Sequence, residues 1–280
     1  MILTIISTIL VSLLLLYICV CVLEIIKTAK YIYPETYVRP NRVVVSMTTL
    51  PSRMDQVQNT IQSILNNTVQ PDAIYINIPL FSKREQKYYM IPSYLENIPK
   101  VIINNIKEDF GPASKLIPTL EKEKDPETII ITIDDDFKYD ATVIDHLLNC
   151  SNQFPDKVIC VSGWNYINLR VILLPIFYKK KKYKPRKVKI LQGYCGVIYK
   201  RKFFYNDIRQ YIPCEECFTT DDIYISRYLG NIGIQILEIP HTDDKISQEY
   251  STNKFALGTE NLSGNKWIKC VSVKTCGAIK

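Results

Sequence analysis

The stretch Ile130–Asp140, IITIDDDFKYD, ends a run of β-branched apolar residues on three consecutive carboxylates. The run Glu127–Ile133, ETIIITI, is typical of a central parallel strand, because such a strand is covered on both faces. Carboxylates crowded at a strand end raise one another's pKa and cost stability unless a cation or hydrogen-bond donors neutralise them. We therefore expect Asp134, Asp135 and Asp136 to meet a cation, although a simple turn is the competing interpretation.

Further apolar segments alternate with helical patterns along the chain. The strand-like segments are RVVVSM (42–47), AIYINIP (73–79), KVIINNI (100–106), KVICVSG (157–163) and IQILEI (234–239), and the helical ones lie at about Met54–Asn66, at 111–123 and at 221–229. Strands that alternate with helices predict a single Rossmann-like α/β domain with a mostly parallel central sheet. In such sheets ligands bind outside the carboxyl ends of the strands, which places the acidic triplet at the mouth of a site.

The N-terminus predicts a membrane anchor. Residues 2–23 contain no charged side chain and are long enough as a helix to cross a hydrocarbon layer of about 30 Å. A cleaved signal peptide is the alternative, but neither flank of the segment fits cleavage. We expect a tether at 24–41 and a catalytic domain at 42–280. The basic residues Lys27, Lys30, Arg39 and Arg42 all follow the span, so the positive-inside rule leans toward a cytosolic domain, with an ER or Golgi lumen left open.

The net charge of +7 comes from one short segment, Lys179–Lys189, which contains eight basic residues. A nucleic-acid-binding domain spreads its basic residues over a face, so no nucleic acid partner is expected. The segment is either a solvated loop or a contact for anionic lipid headgroups or a phosphorylated substrate.

The cysteines do not form an obvious framework. Two of the nine lie in the predicted anchor, so an odd number remains in the rest of the chain. Cys214 and Cys217 form a single C-x-x-C, which indicates a redox pair or two unrelated thiols more readily than a zinc site.

A hard divalent cation would explain the acidic triplet, because Mg²⁺ and Mn²⁺ prefer oxygen ligands. TIDDD also resembles the D-x-D motif of A-type glycosyltransferases, which bind a nucleotide-diphosphate sugar through such a metal. VVVSMTTLPSR is similar to the nucleotide-binding first strand and loop of that superfamily, EDFGPASK to the loop before the D-x-D strand, and TDDIYISRYL to the motif that holds the catalytic base. The likeness extends from about Arg42 to about His241. It is closest to family-2-like members, including those of large DNA viruses and bacteria, although this chain has TTLPSR where common members carry a Pro-x-Tyr-Asn loop.

The resemblance implies a role for each acidic residue of the motifs. Asp136 would be the main metal ligand, Asp134 would contact the metal and the sugar or ribose, and Asp135 would contribute to either. His241, in EIPHTDD, would complete the coordination, or else is a surface residue. Asp222 would act as the general base on the acceptor hydroxyl, with Asp221 as the alternative.

Other residues would bind the donor by the same resemblance. Lys115 would reach the diphosphate, and Thr48 and Arg53 would contact the nucleotide; the alternative for Lys115 and Arg53 is an ordinary helix residue. The glycines of GYCG (193–196) would bring backbone close to donor or acceptor. Trp164 and Trp267 are candidates for sugar stacking, with core packing as the stronger expectation.

These patterns predict a membrane-anchored, Mn²⁺- or Mg²⁺-dependent glycosyltransferase. It would move a sugar from a nucleotide-diphosphate sugar to a hydroxyl on a glycan, protein or lipid, and inversion is favoured because it needs one base. A sugar-nucleotide nucleotidyltransferase is the second hypothesis, but it would need a glycine-rich loop after the first strand. An inert scaffold with the same fold is the third.

Overall fold

The structure is a computed structural model that describes residues 9–20, 22, 39, 42–169, 172–176, 185–205, 207–211, 217–239, 246–248, 266, 270 and 271. The chain divides into two compact units, Met1–Tyr37 and Val38–Lys280. In the first unit, residues 9–20 form helix α1, whose side chains are exposed. No helix among the described residues is long and apolar enough to cross a membrane. Much of the predicted anchor and tether lies outside the described residues.

The second unit alternates strands and helices. Its α-helices are α2 (Val57–Leu65), α3 (Ile117–Lys122), α4 (Val143–Gln153) and α5 (Asp221–Asn231). Its strands are β1 (Val43–Thr48), β2 (Ala73–Pro79), β3 (Phe81–Ser82), β4 (Lys87–Tyr88), β5 (Val101–Ile106), β6 (Ile129–Thr132), β7 (Phe137–Tyr139), β8 (Lys157–Leu169), β9 (Ile172–Ile176), β10 (Arg186–Val188), β11 (Ile190–Lys200), β12 (Gln235–Glu238) and β13 (Ile246–Gln248). Short 3-10 helices lie at Pro51–Arg53, Ser93–Asn97, Gly111–Lys115, Arg201–Phe203 and Ile208–Tyr211.

Nine of the described strands form one central sheet, in the order β10-β12-β8-β11-β6-β1-β2-β5, with β9 paired to β8. Strands β5, β2, β1, β6, β8 and β12 run in the same direction. Strand β11 runs antiparallel between β6 and β8, and β9 and β10 are also reversed. The predicted α/β architecture with a mostly parallel central sheet is confirmed.

Both faces of the sheet centre are covered, as the β-branched runs predict. Helices α3 and α5 pack on one face in a cluster that includes Val44 and Ile130. Ser46 lies on the same face, because its hydroxyl donates to the backbone carbonyl of Lys115. Side chains alternate along a strand, so Val45 and Met47 point to the opposite face, and both are fully buried there. Because the strand is buried on both faces, the residues that directly follow its end are held in a rigid position.

Two expectations about individual elements are wrong in detail. The helix predicted over 111–123 is broken into the 3-10 helix Gly111–Lys115 and the short helix α3. Pro118 causes the break, because it lacks the backbone N–H that a continuous helix would use. Strand β11 was not expected, because Gly193 and Gly196 interrupt its apolar pattern at a β-bulge, where Gly196 has φ +105°.

The strand order creates a switch point beside β1. From β1 the chain moves outward to β2 and β5, and then returns to place β6 on the other side of β1. Ligands in open α/β sheets bind at such a reversal, outside the carboxyl ends of the two strands. The residues that follow β1 and β6, namely Thr49–Arg53 and Asp134–Asp136, therefore flank the expected crevice.

Strand β6 offers a direct test of the sheet order. Ile130→Ala is expected to lower the free energy of unfolding by about 2–5 kcal/mol, because the fully buried side chain leaves a cavity between packed elements. Ile102→Ala on the edge strand β5, where the side chain is 41% exposed, is expected to cost less than about 1 kcal/mol. Denaturant unfolding measures both, and equal losses would contradict a central position for β6.

Candidate functional site

The three carboxylates after β6 have different surroundings, and Asp135 is the buried one. Its side chain is 7% exposed. One of its oxygens accepts a hydrogen bond from Thr49 Oγ1 at 2.5 Å, and the other accepts one from Arg53 Nη1 at 2.9 Å. With both oxygens engaged by the loop that follows β1, Asp135 joins the two strands that flank the crevice.

Asp134 and Asp136 are more accessible, with side chains 32% and 14% exposed. Asp134 Oδ1 accepts a hydrogen bond from Lys115 Nζ at 2.8 Å, and Asp136 Oδ2 accepts one from Arg53 Nη1 at 3.0 Å. The Asp136 carboxylate also accepts a hydrogen bond from its own backbone N–H. The first and third acids of the triplet are therefore the ones more accessible to a ligand.

Lys115 is the central cation of the site and is only 5% exposed. Its ammonium lies 2.8 Å from Asp134 Oδ1 and 3.4 Å from Asp221 Oδ2. Burial by itself lowers the pKa of Lys115, but the charges of Asp134, Asp221 and Asp222 raise that pKa well above its usual value. Lys115 thus stays charged and links the loop before α3, the end of β6 and the start of α5.

Gly193 in β11 closes the site on its other side. Its backbone N–H donates to Asp222 Oδ1 at 3.0 Å. A Cβ atom at this position would lie 2.4 Å from Lys115 Nζ and 3.1 Å from Asp222 Oδ1. The predicted close approach of the GYCG backbone is therefore to Lys115 and Asp222. Asp222 is half-buried, whereas Asp221 is buried and Lys115 lies beside its Oδ2.

The site holds more negative than positive charge. Five carboxylates, those of Asp134–Asp136, Asp221 and Asp222, share the two cations Lys115 and Arg53. Burial, followed by the charges of Asp135 and Asp134, raises the pKa of Asp136 to about 6. Burial also raises the pKa of Asp221, and burial together with the Asp221 charge raises the pKa of Asp222 well above its usual value. Such raised pKa values in a crevice are typical of functional sites.

Tyr139 holds the acidic loop against β11. Its buried hydroxyl accepts a hydrogen bond from the backbone N–H of Asp134 at 3.0 Å and donates one to the carbonyl of Tyr194 at 2.8 Å. Thr60 Oγ1 in α2 lies 2.7 and 2.8 Å from the carbonyl oxygens of Asp135 and Phe137, which share its single proton. Sequence reasoning missed both residues, because a tyrosine or threonine near a motif looks the same whether it packs or positions the motif.

The predicted metal is compatible with this donor set. In the described part of the chain, no group of three or more His, Cys, Asp or Glu side chains is arranged to hold an ion. Mg²⁺, however, is usually held by one or two carboxylates, with water and substrate phosphates filling its other positions. The two more accessible carboxylates, those of Asp134 and Asp136, and the excess of negative charge suit an ion of that kind. His241 lies outside the described residues.

Most of the acidic and basic residues predicted for the site come together. Asp134, Asp135, Asp136, Lys115, Arg53, Asp221 and Asp222 all belong to the network above. Thr48 has another role: its hydroxyl donates to the carbonyl of Asn77 in β2 at 2.8 Å. The neighbouring Thr49 contacts the acidic triplet instead, a distinction between two adjacent threonines that the sequence cannot make.

The structure bears on one cysteine of the C-x-x-C and on one of the two tryptophans. Cys217 forms a disulfide with Cys270, 53 residues away. Of the two alternatives for the C-x-x-C, a redox pair is therefore wrong, and Cys217 is not a free thiol either. Cys214 and Trp267 lie outside the described residues. Trp164 packs in a buried cluster with Ile190, Ile223 and the disulfide, in agreement with core packing.

No protein-family model matches the chain, and no curated protein matches it at a significant level. The site itself is therefore the basis for a functional conclusion.

The raised pKa of Asp222 predicts that this residue costs stability. Because burial and the charge of Asp221 raise its pKa in the folded state, the folded protein binds more protons than the unfolded chain above the ordinary pKa of about 3.9. Stability then falls as the pH rises from that value. Asp222→Asn, which keeps an acceptor for Gly193, is expected to raise the free energy of unfolding at neutral pH, with a gain that disappears below about pH 3.9.

Asp72→Asn is a control for which the opposite change in the free energy of unfolding is expected. Burial raises the pKa of Asp72, but the Val43 N–H and Arg39 outweigh it and leave the pKa below its usual value. This variant should lose stability at neutral pH, and the loss should fade as the pH falls below about 3.9. Denaturant unfolding over this pH range, with a chelator present, measures both; a less stable Asp222→Asn at neutral pH would contradict the electrostatic picture.

Proposed function

We propose that the protein is a metal-dependent glycosyltransferase that moves a sugar from a nucleotide-diphosphate sugar to an acceptor hydroxyl. The observation that carries the proposal is the arrangement of Asp134 and Asp136 at the switch point between β1 and β6. Both are more accessible there than Asp135, in a site with five carboxylates and two cations. The sequence likeness to A-type glycosyltransferases supports the same reaction.

Asp134 and Asp136 would hold Mn²⁺ or Mg²⁺ together with the donor diphosphate. When bound, the ion supplies positive charge where the leaving diphosphate develops negative charge. Arg53 and Lys115 would contact the phosphates by exchanging part of their carboxylate contacts for phosphate oxygens. Asp135, with both oxygens hydrogen-bonded, orients Arg53 and Thr49.

Asp222 is the proposed general base. It is the more exposed of the two acids at the start of α5, and burial and the charge of Asp221 raise its pKa, which makes its carboxylate a stronger base. The N–H of Gly193 holds one of its oxygens. Asp221 is buried against Lys115 and is therefore proposed to position that cation. A single base is sufficient for direct displacement, which inverts the anomeric carbon.

A sugar-nucleotide nucleotidyltransferase would place a glycine-rich loop after the first strand. Here the segment Thr49–Arg53 contains no glycine and ends in the 3-10 helix Pro51–Arg53. No observation favours this second reaction over glycosyl transfer. The acceptor class, whether glycan, protein or lipid, stays a prediction.

The cellular setting is part of the proposal. Disulfides form and persist mainly in oxidising compartments, so the Cys217–Cys270 bond supports a lumenal or extracellular domain over the cytosolic one favoured by the basic residues near the N-terminus. The apolar, exposed side chains of α1 support the proposal that the N-terminal segment anchors the protein in a membrane.

The metal assignment is tested by nucleotide binding. Calorimetric titration of the full chain with UDP, GDP and TDP should show binding of at least one diphosphate that requires Mn²⁺. Asp136→Ala should abolish the Mn²⁺-dependent part, whereas Asp156→Ala, which removes an exposed carboxylate elsewhere, should not change it. Binding that does not require Mn²⁺ would contradict the metal assignment, and no binding of any nucleotide would favour an inert scaffold.

The base assignment is tested by turnover with the donor that binds. Asp222→Asn should reduce kcat by about 10²–10⁴-fold while the Kd for the nucleotide diphosphate stays unchanged, because a general base acts on the acceptor. Since the same variant is expected to be stable, a loss of activity would not reflect unfolding. Activity near that of the wild type would assign the base to another residue.

A further inference from the structure

A cavity of about 390 Å³ lies between β10, β12 and α5, and Val271 lines part of it. None of the residues of the acidic site lines it. Its apolar lining residues are Val188, Ile190, Ile223, Ile234, Ile236 and Val271. The volume is within the range of small-molecule sites, which is about 300–1,000 Å³.

The polar part of the lining is basic. Lys187, Lys189 and Arg227 contribute to it, and no acidic side chain is among the described lining residues. Lys187 and Lys189 are exposed, whereas Val188 and Ile190, which alternate with them, are buried. Lys187 and Lys189 therefore line the cavity with exposed side chains, whereas Val188 and Ile190 line it with buried aliphatic ones.

The two lysines can donate to a ligand. Lys189 Nζ donates to the carbonyl of Tyr166 at 3.1 Å and lies 4.4 Å from the centre of the Tyr166 ring, which positions it. An ammonium has three donors, so two of its N–H groups remain for a ligand. Lys187 also lines the cavity, and its side chain is exposed. Arg227 has a different task, because its Nη2 donates to the carbonyls of Cys270 and Val271 and holds the wall that they form.

We propose that this cavity binds an amphiphilic phosphate, with the phosphate on Lys187 and Lys189 and an apolar group inside. A free inorganic anion would leave the aliphatic interior unfilled, and a neutral apolar molecule would leave the two ammonium groups unused. The same chemistry is found in the headgroup region of a phospholipid and in a soluble phosphorylated metabolite with an apolar part. The inference assigns a role to the end of the basic segment Lys179–Lys189 and does not depend on glycosyl transfer.

Calorimetric titration of the full chain in a neutral detergent tests this with three probes: hexyl phosphate, hexanol and inorganic phosphate. Hexyl phosphate should bind more tightly than either of the others, because only it uses both parts of the cavity. Lys187→Gln with Lys189→Gln should weaken that binding about tenfold or more, because two charge-assisted contacts are lost. Lys122→Gln with Lys124→Gln, two exposed lysines elsewhere, changes the net charge equally and should have no effect.

Arg53→Gln distinguishes binding in the cavity from binding at the acidic site, because only at the acidic site would a phosphate contact Arg53. Loss of hexyl phosphate binding in Arg53→Gln, or unchanged binding in the Lys187/Lys189 variant, would overturn the proposal. The proposal would also be overturned if the wild-type protein bound hexyl phosphate no more tightly than hexanol, whatever affinities the variants show. Comparison of dihexanoyl phosphatidate with phenyl phosphate identifies the source of the natural ligand. Tighter binding of dihexanoyl phosphatidate supports a lipid headgroup, and tighter binding of phenyl phosphate supports a soluble phosphorylated metabolite.

Discussion

The buried ammonium of Lys115 is the interaction on which the site depends. Its contacts with Asp134 and Asp221 join the end of β6 to the start of α5, and its own backbone is held to β1 through Ser46. Without a cation there, three carboxylates from two elements would be left close together in a poorly hydrated crevice, which is strongly unfavourable. The glycine at position 193 follows from the same constraint, because a side chain there would displace the ammonium.

Arg53 has the corresponding role on the other side of the crevice. Its contacts with Asp135 and Asp136 hold the loop after β1 against the loop after β6, at the point where the strand order reverses. The two cations nevertheless balance only part of the charge of five carboxylates. A fold selected for stability alone would not keep acids with raised pKa values at such a place, and this excess is the physical reason to propose a cation there.

Much of this arrangement could be predicted from local sequence. The apolar run before Asp134 identified β6, the helical pattern identified α5, and both positions placed acids at element ends. Other parts depend on contacts between distant segments. The bulged β11 was hidden by its glycines, Thr49 and Thr48 were indistinguishable, and Tyr139 gave no sign that its hydroxyl joins Asp134 to Tyr194. The partner of Cys217 was equally hidden, because disulfide pairing follows spatial proximity and not spacing along the chain.

The sequence by itself determined the parallel strands β1, β2, β5, β6, β8 and β12 and the helix α5, and that acidic residues would gather where strand β6 ends, because periodicity and β-branching act over a few neighbouring residues. Only the tertiary structure decided which cation neutralises which acid, which acids stay accessible, and where the end of the basic segment lines a cavity. Those outcomes depend on burial and on distances between atoms that are tens of residues apart, and electrostatic energies change steeply with both.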